Sequence, residues 1–162
     1  SIPLLNKFEN LVVMRTFSKG FGMPSIRAGM TIANESIMSI ISKPRLAHEL
    51  SSLSIVIAEY LIDNFDIVKK NCEKVIESRS YISSELYKMG IKTHGNNGNF
   101  LLISFGSKEK SQTVVNKLKE KKIYVKGPWK EPWSDSITIS IGPKDVMVKF
   151  LDNLRTILDN IS

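Results

Sequence analysis

Cysteine and histidine are scarce in this chain of 162 residues. Cys72 is its single cysteine, which excludes a disulfide within the chain and favours a reducing compartment, the cytoplasm. Cys72, His48 and His94 also lack the spacing of zinc ligands, so we expect no metal ion. These scarcities argue against a disulfide-stabilised secreted scaffold and against a zinc-dependent domain.

Long apolar runs are missing as well. No stretch approaches the roughly 18–20 apolar residues that a membrane span needs. Residues 1–5 lack the basic segment and the cleavage site of a signal peptide. The formal net charge is +7, but most lysines alternate with Glu, as on solvated helix faces. We therefore expect no membrane and no nucleic-acid partner, whereas small anionic ligands such as phosphates fit the positive excess.

Hydrophobic periodicity places short strands and helices along the first part of the chain. A pair of strands with two helices would leave apolar strand edge unpaired, which indicates a piece of a larger sheet. The predicted strands cover residues 11–16 and 27–33, and the predicted helices cover residues 35–41 and 44–61.

The remainder of the chain is typical of a small sheet with helices on one side. A long amphipathic helix over residues 65–89 leads into it. Strands are predicted at residues 100–105, 123–125 and 137–141, helices at residues 110–121 and 143–160, and a loop at residues 127–135. The predicted fold class is α/β (α+β), divided into a large-domain piece at residues 1–63 and a small α+β domain at residues 64–162.

The loop after the first predicted strand carries the clearest chemistry. Lys19 follows Thr16 and Ser18, and Arg27 comes eight residues later. A lysine amine is a nucleophile towards carbonyl groups, and a phosphate group needs hydroxyl donors and a guanidinium. A Ser-Lys pair alone is common on surfaces. The full pattern Thr-x-Ser-Lys-x-Phe-Gly, with Arg at +8 and Gly29 at +10, is specific.

Residues 11–33 resemble the cofactor-lysine segment of fold-type I, class I/II aminotransferases, and most closely the histidinol-phosphate aminotransferase branch. The resemblance continues through the large-domain helix at residues 44–61, through Gly98-Asn99-Phe100-Leu101 and through the strands at residues 123–125 and 137–142. It covers essentially the whole chain. It implies the C-terminal portion of a fold-type I transferase that depends on pyridoxal 5′-phosphate (PLP).

By this resemblance, Lys19 carries PLP through its amine, and Thr16, Ser18 and Arg27 contact the cofactor phosphate. The intact protein is then expected to be a homodimeric aminotransferase that uses a small amine or amino acid and a keto acceptor. The family also places an Asp under the pyridine nitrogen and a Tyr on the 3-oxygen, upstream of the lysine. Residues 1–17 contain neither, so we expect this portion to be inactive alone.

The predicted substrate side departs from the family at two positions. The family usually has an arginine directly after the strand that ends here at Val125, where this chain has Lys126. It has another arginine twelve residues later, where this chain has Thr138. A point charge and a hydroxyl thus replace planar bidentate groups. The resemblance marks Asn99, Lys126 and Thr138 as substrate-binding candidates. Either Lys126 or Lys130 takes over a substrate carboxylate, or the substrate carries none.

Three other functions stay open from the sequence. A decarboxylase resembling threonine-phosphate decarboxylase would keep the cofactor and change the reaction. A PLP-sensing domain of a transcription regulator would follow a DNA-binding winged helix. A structural or interaction domain with a chance lysine loop would bind no PLP. Trp129 and Trp133 do not discriminate, because they could line a ligand entrance or pack their loop onto the domain.

Overall fold

The computed structural model describes residues 2–44, 49–95 and 97–161. The chain divides into two compact units, Ser1–Asn71 and Cys72–Ser162. The predicted division after residue 63 coincides with the end of a helix, and its assignment to a large and a small domain stays a prediction.

The first unit contains an antiparallel hairpin of two strands. Strand β1 (Val12–Thr16) pairs with β2 (Gly29–Ala33), and the register sets Thr16 opposite Gly29. Helix α1 (Glu35–Ile41) follows with the bounds that the sequence predicts. The buried apolar side chains of this unit are Val13, Phe17, Ile26, Ala28, Leu61 and Val68.

Helix α2 (Ser52–Asp63) begins later than predicted. Its start is fixed by Ser51, whose Oγ accepts a hydrogen bond of 3.1 Å from the backbone N–H of Ser54. Such a cap satisfies one of the backbone donors that a helix N-terminus leaves unpaired. The predicted start at Pro44 is therefore wrong. Residues 45–48, which belong to the predicted helix and include His48, lie outside the described residues.

The predicted long amphipathic helix is confirmed as α3 (Phe65–Lys88), and the division between the two units falls within it. In the part of the chain that the structure describes, no helix, α3 included, is apolar enough over sufficient length to cross a membrane. The remaining elements are β3 (Lys92–His94), β4 (Phe100–Ser104), α4 (Lys108–Glu120), β5 (Ser136–Ser140) and α5 (Lys144–Asp159).

The second unit is an antiparallel sheet in the order β3-β4-β5 whose core lies on one face. Leu101 and Ile103 of β4 stand opposite Ile139 and Ile137 of β5, and all four side chains are buried. The helices add Ile82, Leu86, Val114, Leu118, Leu151 and Leu154 to the same cluster. The predicted small sheet with helices on one side is confirmed, and Leu102 and Thr138 belong to the other face, as alternation along a strand requires.

The strand predicted at residues 123–125 is wrong. The backbone N–H of Ile123 donates to the carbonyl of Leu118 at 2.9 Å, so Ile123 completes the turn that ends α4, and Tyr124 and Val125 follow it outside any strand. The chain pairs with β5 one residue later, at Lys126. There Lys126 and Thr138 exchange backbone hydrogen bonds of 3.0 and 2.7 Å in an isolated antiparallel bridge.

Gly127 allows the chain to run against β5 after this bridge. Its φ is +136°, and a Cβ there would lie 2.9 Å from the carbonyl oxygen of Ser136 and 3.0 Å from the Cα of Ile137. We expect Gly127→Ala to lower the free energy of unfolding by about 2–3 kcal/mol, because both the backbone and the contact are incompatible with a side chain. Denaturant unfolding measures this value.

The matched control is Gly142→Ala. A Cβ at Gly142 would meet side-chain atoms at 3.6 Å or more, and its backbone lies outside the left-handed region. This variant should be as stable as the parent protein or slightly more so. Equal losses of stability in the two variants would contradict the role assigned to Gly127.

Candidate functional site

Lys19 lies in the loop that connects β1 to β2, and its side chain is exposed. Backbone hydrogen bonds give this loop a defined shape. The N–H of Gly22 donates to the carbonyl of Lys19 at 2.8 Å, that of Met23 to Phe17 at 2.9 Å, and that of Phe17 to Ala28 at 3.2 Å. The lysine is therefore presented from a closed turn directly after a strand.

Aromatic packing anchors the same loop within the first unit. The ring of Phe17, only 3% exposed, lies 4.4 Å from the ring of Phe21, which in turn lies 5.9 Å from the ring of Phe65. The side-chain amide of Asn71 donates to the carbonyl of Gly20 at 3.4 Å. Helix α3 thus supports the loop on the residues that flank Lys19.

The two hydroxyl residues predicted to contact a phosphate lie side by side. The Thr16 hydroxyl donates to Ser18 Oγ at 3.0 Å, and the backbone N–H of Ser18 donates to Thr16 Oγ1 at 3.1 Å. Hydroxyl hydrogens rotate, so both groups can turn to an incoming anion. The structure therefore brings the side chains of Thr16 and Ser18 together, and Lys19 follows them in the same loop.

Arg27 occupies an unusual backbone conformation at the end of the short 3₁₀ helix Pro24–Ile26. Its φ and ψ are 52° and 31°, a left-handed conformation that costs a non-glycine residue about 1–2 kcal/mol. Nη1 of Arg27 donates to the carbonyl of Pro24 at 2.9 Å. Among the described residues, no hydrogen bond joins this guanidinium to Thr16 or Ser18, and the carbonyl that it contacts belongs to the preceding 3₁₀ helix.

The glycine at +10 of the sequence pattern has a steric reason. Gly29 stands opposite Thr16, and a Cβ on Gly29 would lie 2.9 Å from the carbonyl oxygen of Arg15. The two strands therefore approach closely at the point where the loop begins.

On the predicted substrate side, the structure brings Lys126 and Thr138 together and places Asn99 elsewhere. Lys126 and Thr138 are the partners of the backbone bridge. Asn99 precedes β4, and its carbonyl accepts a bond of 2.8 Å from the N–H of Ile141. Since Leu102 is the β4 residue opposite Thr138, Asn99 lies about 10 Å further along that strand.

Trp129 contacts both Lys126 and Thr138, and the sequence pattern did not predict this contact. Its indole N–H donates to Thr138 Oγ1 at 2.9 Å, and Nζ of Lys126 lies 4.6 Å from the centroid of its ring. An exposed cation–π contact contributes about 0.5–1 kcal/mol and a neutral hydrogen bond about 0.5–1.5 kcal/mol. The sequence indicates this contact only by placing a tryptophan between Lys126 and Thr138. Proximity along the chain does not predict the direction in which a loop side chain points.

The loop that carries Trp129 is fixed at its far end. The ring of Trp133 meets His94 of β3 edge-on at 5.5 Å. The carboxylate of Asp135 accepts hydrogen bonds from the hydroxyls of Ser104 and Ser136. These bonds hold the pKa of Asp135 below its ordinary value, the Ser104 hydroxyl having the larger effect. Asp135 is a further positioning residue that the sequence pattern did not reveal.

The family model for class I and II aminotransferases matches residues 1–154. The chain belongs to the class I and II aminotransferase family. The resemblance to this family, first indicated by the residues around Lys19, is thereby confirmed.

Relatives and solved structures agree with this assignment. A histidinol-phosphate aminotransferase of Ruminiclostridium cellulolyticum is 33% identical over 161 residues, which make up 98% of this chain and 44% of that protein. This chain thus spans less than half the length of the curated relative.

Two solved structures show the fold. The histidinol-phosphate aminotransferase of Sinorhizobium meliloti in complex with pyridoxal-5′-phosphate has a TM-score of 0.85 at 22% identity, over 95% of this chain and 42% of that one. The L-threonine-O-3-phosphate decarboxylase of Porphyromonas gingivalis has a TM-score of 0.72 at 18% identity, over 96% and 49%. The predicted fold class, α/β (α+β) as in part of a fold-type I enzyme, is confirmed.

Acid should weaken the second unit through Asp135. Because the pKa of this carboxyl is lowered in the folded chain, the unfolded chain binds more protons between that pKa and the ordinary value of about 3.9. Stability rises with pH in this window and is lost as the pH falls through it. Asp135→Asn should therefore be less stable at neutral pH and lose less stability from about pH 4 to about pH 2.

Denaturant unfolding at a series of pH values measures this difference. Ser104→Ala should act in the same direction as Asp135→Asn and less strongly, because the Ser136 hydroxyl remains as a donor. Parallel stability curves for the parent protein and Asp135→Asn would contradict the account.

Proposed function

We propose that this chain supplies the cofactor lysine and part of the substrate site of a PLP-dependent aminotransferase. The intact protein would transfer an amino group between an amine or amino acid and a keto acceptor. The observation that carries the proposal is the Lys19 loop, in which an exposed lysine directly follows Thr16 and Ser18, whose hydroxyls are joined by a hydrogen bond. Family membership and the name of the Ruminiclostridium relative support it.

The residues of this loop fit PLP by their chemistry. A lysine amine can bind the aldehyde carbon of the cofactor, and hydroxyls with a guanidinium suit its phosphate. We assign the aldehyde to Lys19 and the phosphate to Thr16, Ser18 and Arg27. The structural neighbour from Sinorhizobium meliloti, described as a complex with pyridoxal-5′-phosphate, supports the choice of cofactor.

Each residue then has a defined task. PLP, when bound, withdraws electrons from the carbon that carries the substrate amino group. Lys19 would hold the cofactor through its Nζ, and the same amine, when free, would take the proton from that carbon as a general base. Asn99, Lys126 and Thr138 are assigned to the polar parts of the substrate. For the intact protein we also propose a cytoplasmic homodimer that acts on small molecules, in line with the family and the single cysteine.

A decarboxylase is the second candidate, because the Porphyromonas gingivalis neighbour has that activity in its name and shares the fold. The two reactions differ in their co-substrate and product. Amine transfer consumes a keto acceptor, whereas decarboxylation releases carbon dioxide without one. Release of carbon dioxide in the absence of any keto acid would favour the decarboxylase.

Lys19→Ala in the full-length protein tests the proposal. It should lower amine transfer by about 10³-fold or more, because both the attachment point and the base are removed. It should also abolish the visible absorbance of lysine-bound PLP. Steady-state rates with keto acceptors and absorbance spectra give the two measurements.

Lys7→Ala is the matched control, since Lys7 is an exposed lysine in the same unit. This variant should keep both the absorbance and the rate. Amine transfer that survives in Lys19→Ala would show that another residue serves as the base.

A further inference from the structure

Trp129 is held between the two residues that replace the family's arginines. Its backbone N–H donates to the carbonyl of Ser136 at 3.3 Å, and its indole N–H donates to Thr138 on the same strand. The indole is therefore fixed along β5 at two points. Lys126 is the bridge partner of Thr138, and its Nζ lies over the indole face, 4.6 Å from the ring centroid.

This arrangement restricts a side chain that would otherwise move freely. A lysine ammonium stands on a flexible four-carbon stem and has no preferred geometry of its own. Bridge partners in an antiparallel pair project to the same face, so the side chains of Lys126 and Thr138 start from one patch of the sheet. The indole occupies this patch and gives the ammonium an electron-rich surface on which to rest.

The donors that remain available define what the patch can bind. The indole N–H is engaged by Thr138, whose own hydroxyl hydrogen can still be donated. Lys126 carries N–H donors and a positive charge beside it, and its side chain is exposed. Leu102 stands next to Thr138 on the same face. The patch thus combines one cation, one hydroxyl and an apolar wall.

We propose that Trp129 is a specificity-determining, positioning residue that holds Lys126 to bind the anionic end of the substrate, a carboxylate or a phosphate, together with the Thr138 hydroxyl. Trp129 acts through Lys126 and does not touch the anion. The inference rests on the proposed function in one respect: the anion is taken to belong to the aminotransferase substrate.

The test is an NMR titration of the PLP-loaded full-length protein with inorganic phosphate and, separately, with propionate. Loading with PLP fills the phosphate site assigned to Arg27, so any anion binding that is then measured occurs at another site. Lys126→Met should weaken binding of at least one probe by about tenfold or more. Trp129→Leu should weaken it by about fivefold and Trp129→Phe, which keeps an aromatic face, by about twofold.

The double variant separates positioning from a general structural role. If Trp129 acts through Lys126, then Trp129→Leu should cause no further loss of affinity in the Lys126→Met background. Trp133→Phe is the matched control, because this second tryptophan of the loop contacts His94, and affinity should change less than about twofold. Melting temperatures of all variants, measured alongside, should stay together.

The outcomes distinguish this inference from the proposed function. The inference is supported if the protein binds phosphate, propionate or both, and if Lys126→Met and Trp129→Leu weaken binding of the same probe. The probe that binds more tightly then identifies the anion as a phosphate or a carboxylate. Unchanged affinity in either variant, or additive losses in the double variant, would overturn it. A protein that failed to take up PLP would refute the proposed function. The inference about Trp129 would still be supported in that case if Lys126→Met weakened anion binding and Arg27→Met left it unchanged.

Discussion

The close pairing of β1 with β2 at Thr16 and Gly29 is the constraint on which the Lys19 loop depends. The missing side chain at Gly29 lets the strands approach where the loop leaves β1, since a Cβ would meet the carbonyl of Arg15 at 2.9 Å. Phe17 is buried at the start of the loop, the hydroxyls of Thr16 and Ser18 are joined by a hydrogen bond, and Lys19 is exposed. A lysine on a long mobile loop would have no such fixed neighbours, and a fixed geometry is what a covalently held cofactor requires.

In the second unit, the proposed substrate side carries a lysine and a threonine where the family usually has arginines. A planar arginine brings its own hydrogen-bond geometry, whereas a lysine does not. Here the indole of Trp129 lies against Lys126 and Thr138, and Asp135 closes the loop onto β4 and β5 through serine hydroxyls. At the two positions that depart from the family, Trp129, which lies nearby in the sequence, thus contacts both replacing residues.

Hydrophobic periodicity predicted the long helix α3 and the packing of helices on one side of the second sheet, because apolar residues repeat regularly there. The Lys19 loop was predicted because its residues match a specific pattern. The polar strand Lys92–His94 gave no alternation to detect, and its pairing with β4 is set by tertiary contacts. Residues 123–125 look like a strand by composition, yet the backbone N–H of Ile123 closes the turn after α4 and pairing with β5 begins only at Lys126. The orientation of Trp129 depends on where Gly127 brings the chain against β5, which one sequence does not specify.

The central claim is that Lys19 is the residue that carries PLP. The most direct measurement is borohydride reduction of the full-length protein with PLP, which makes the lysine–cofactor bond permanent, followed by mass spectrometry of its peptides. The account predicts a single phosphopyridoxyl group on Lys19. The same group on another lysine, with Lys19 unmodified, would contradict it.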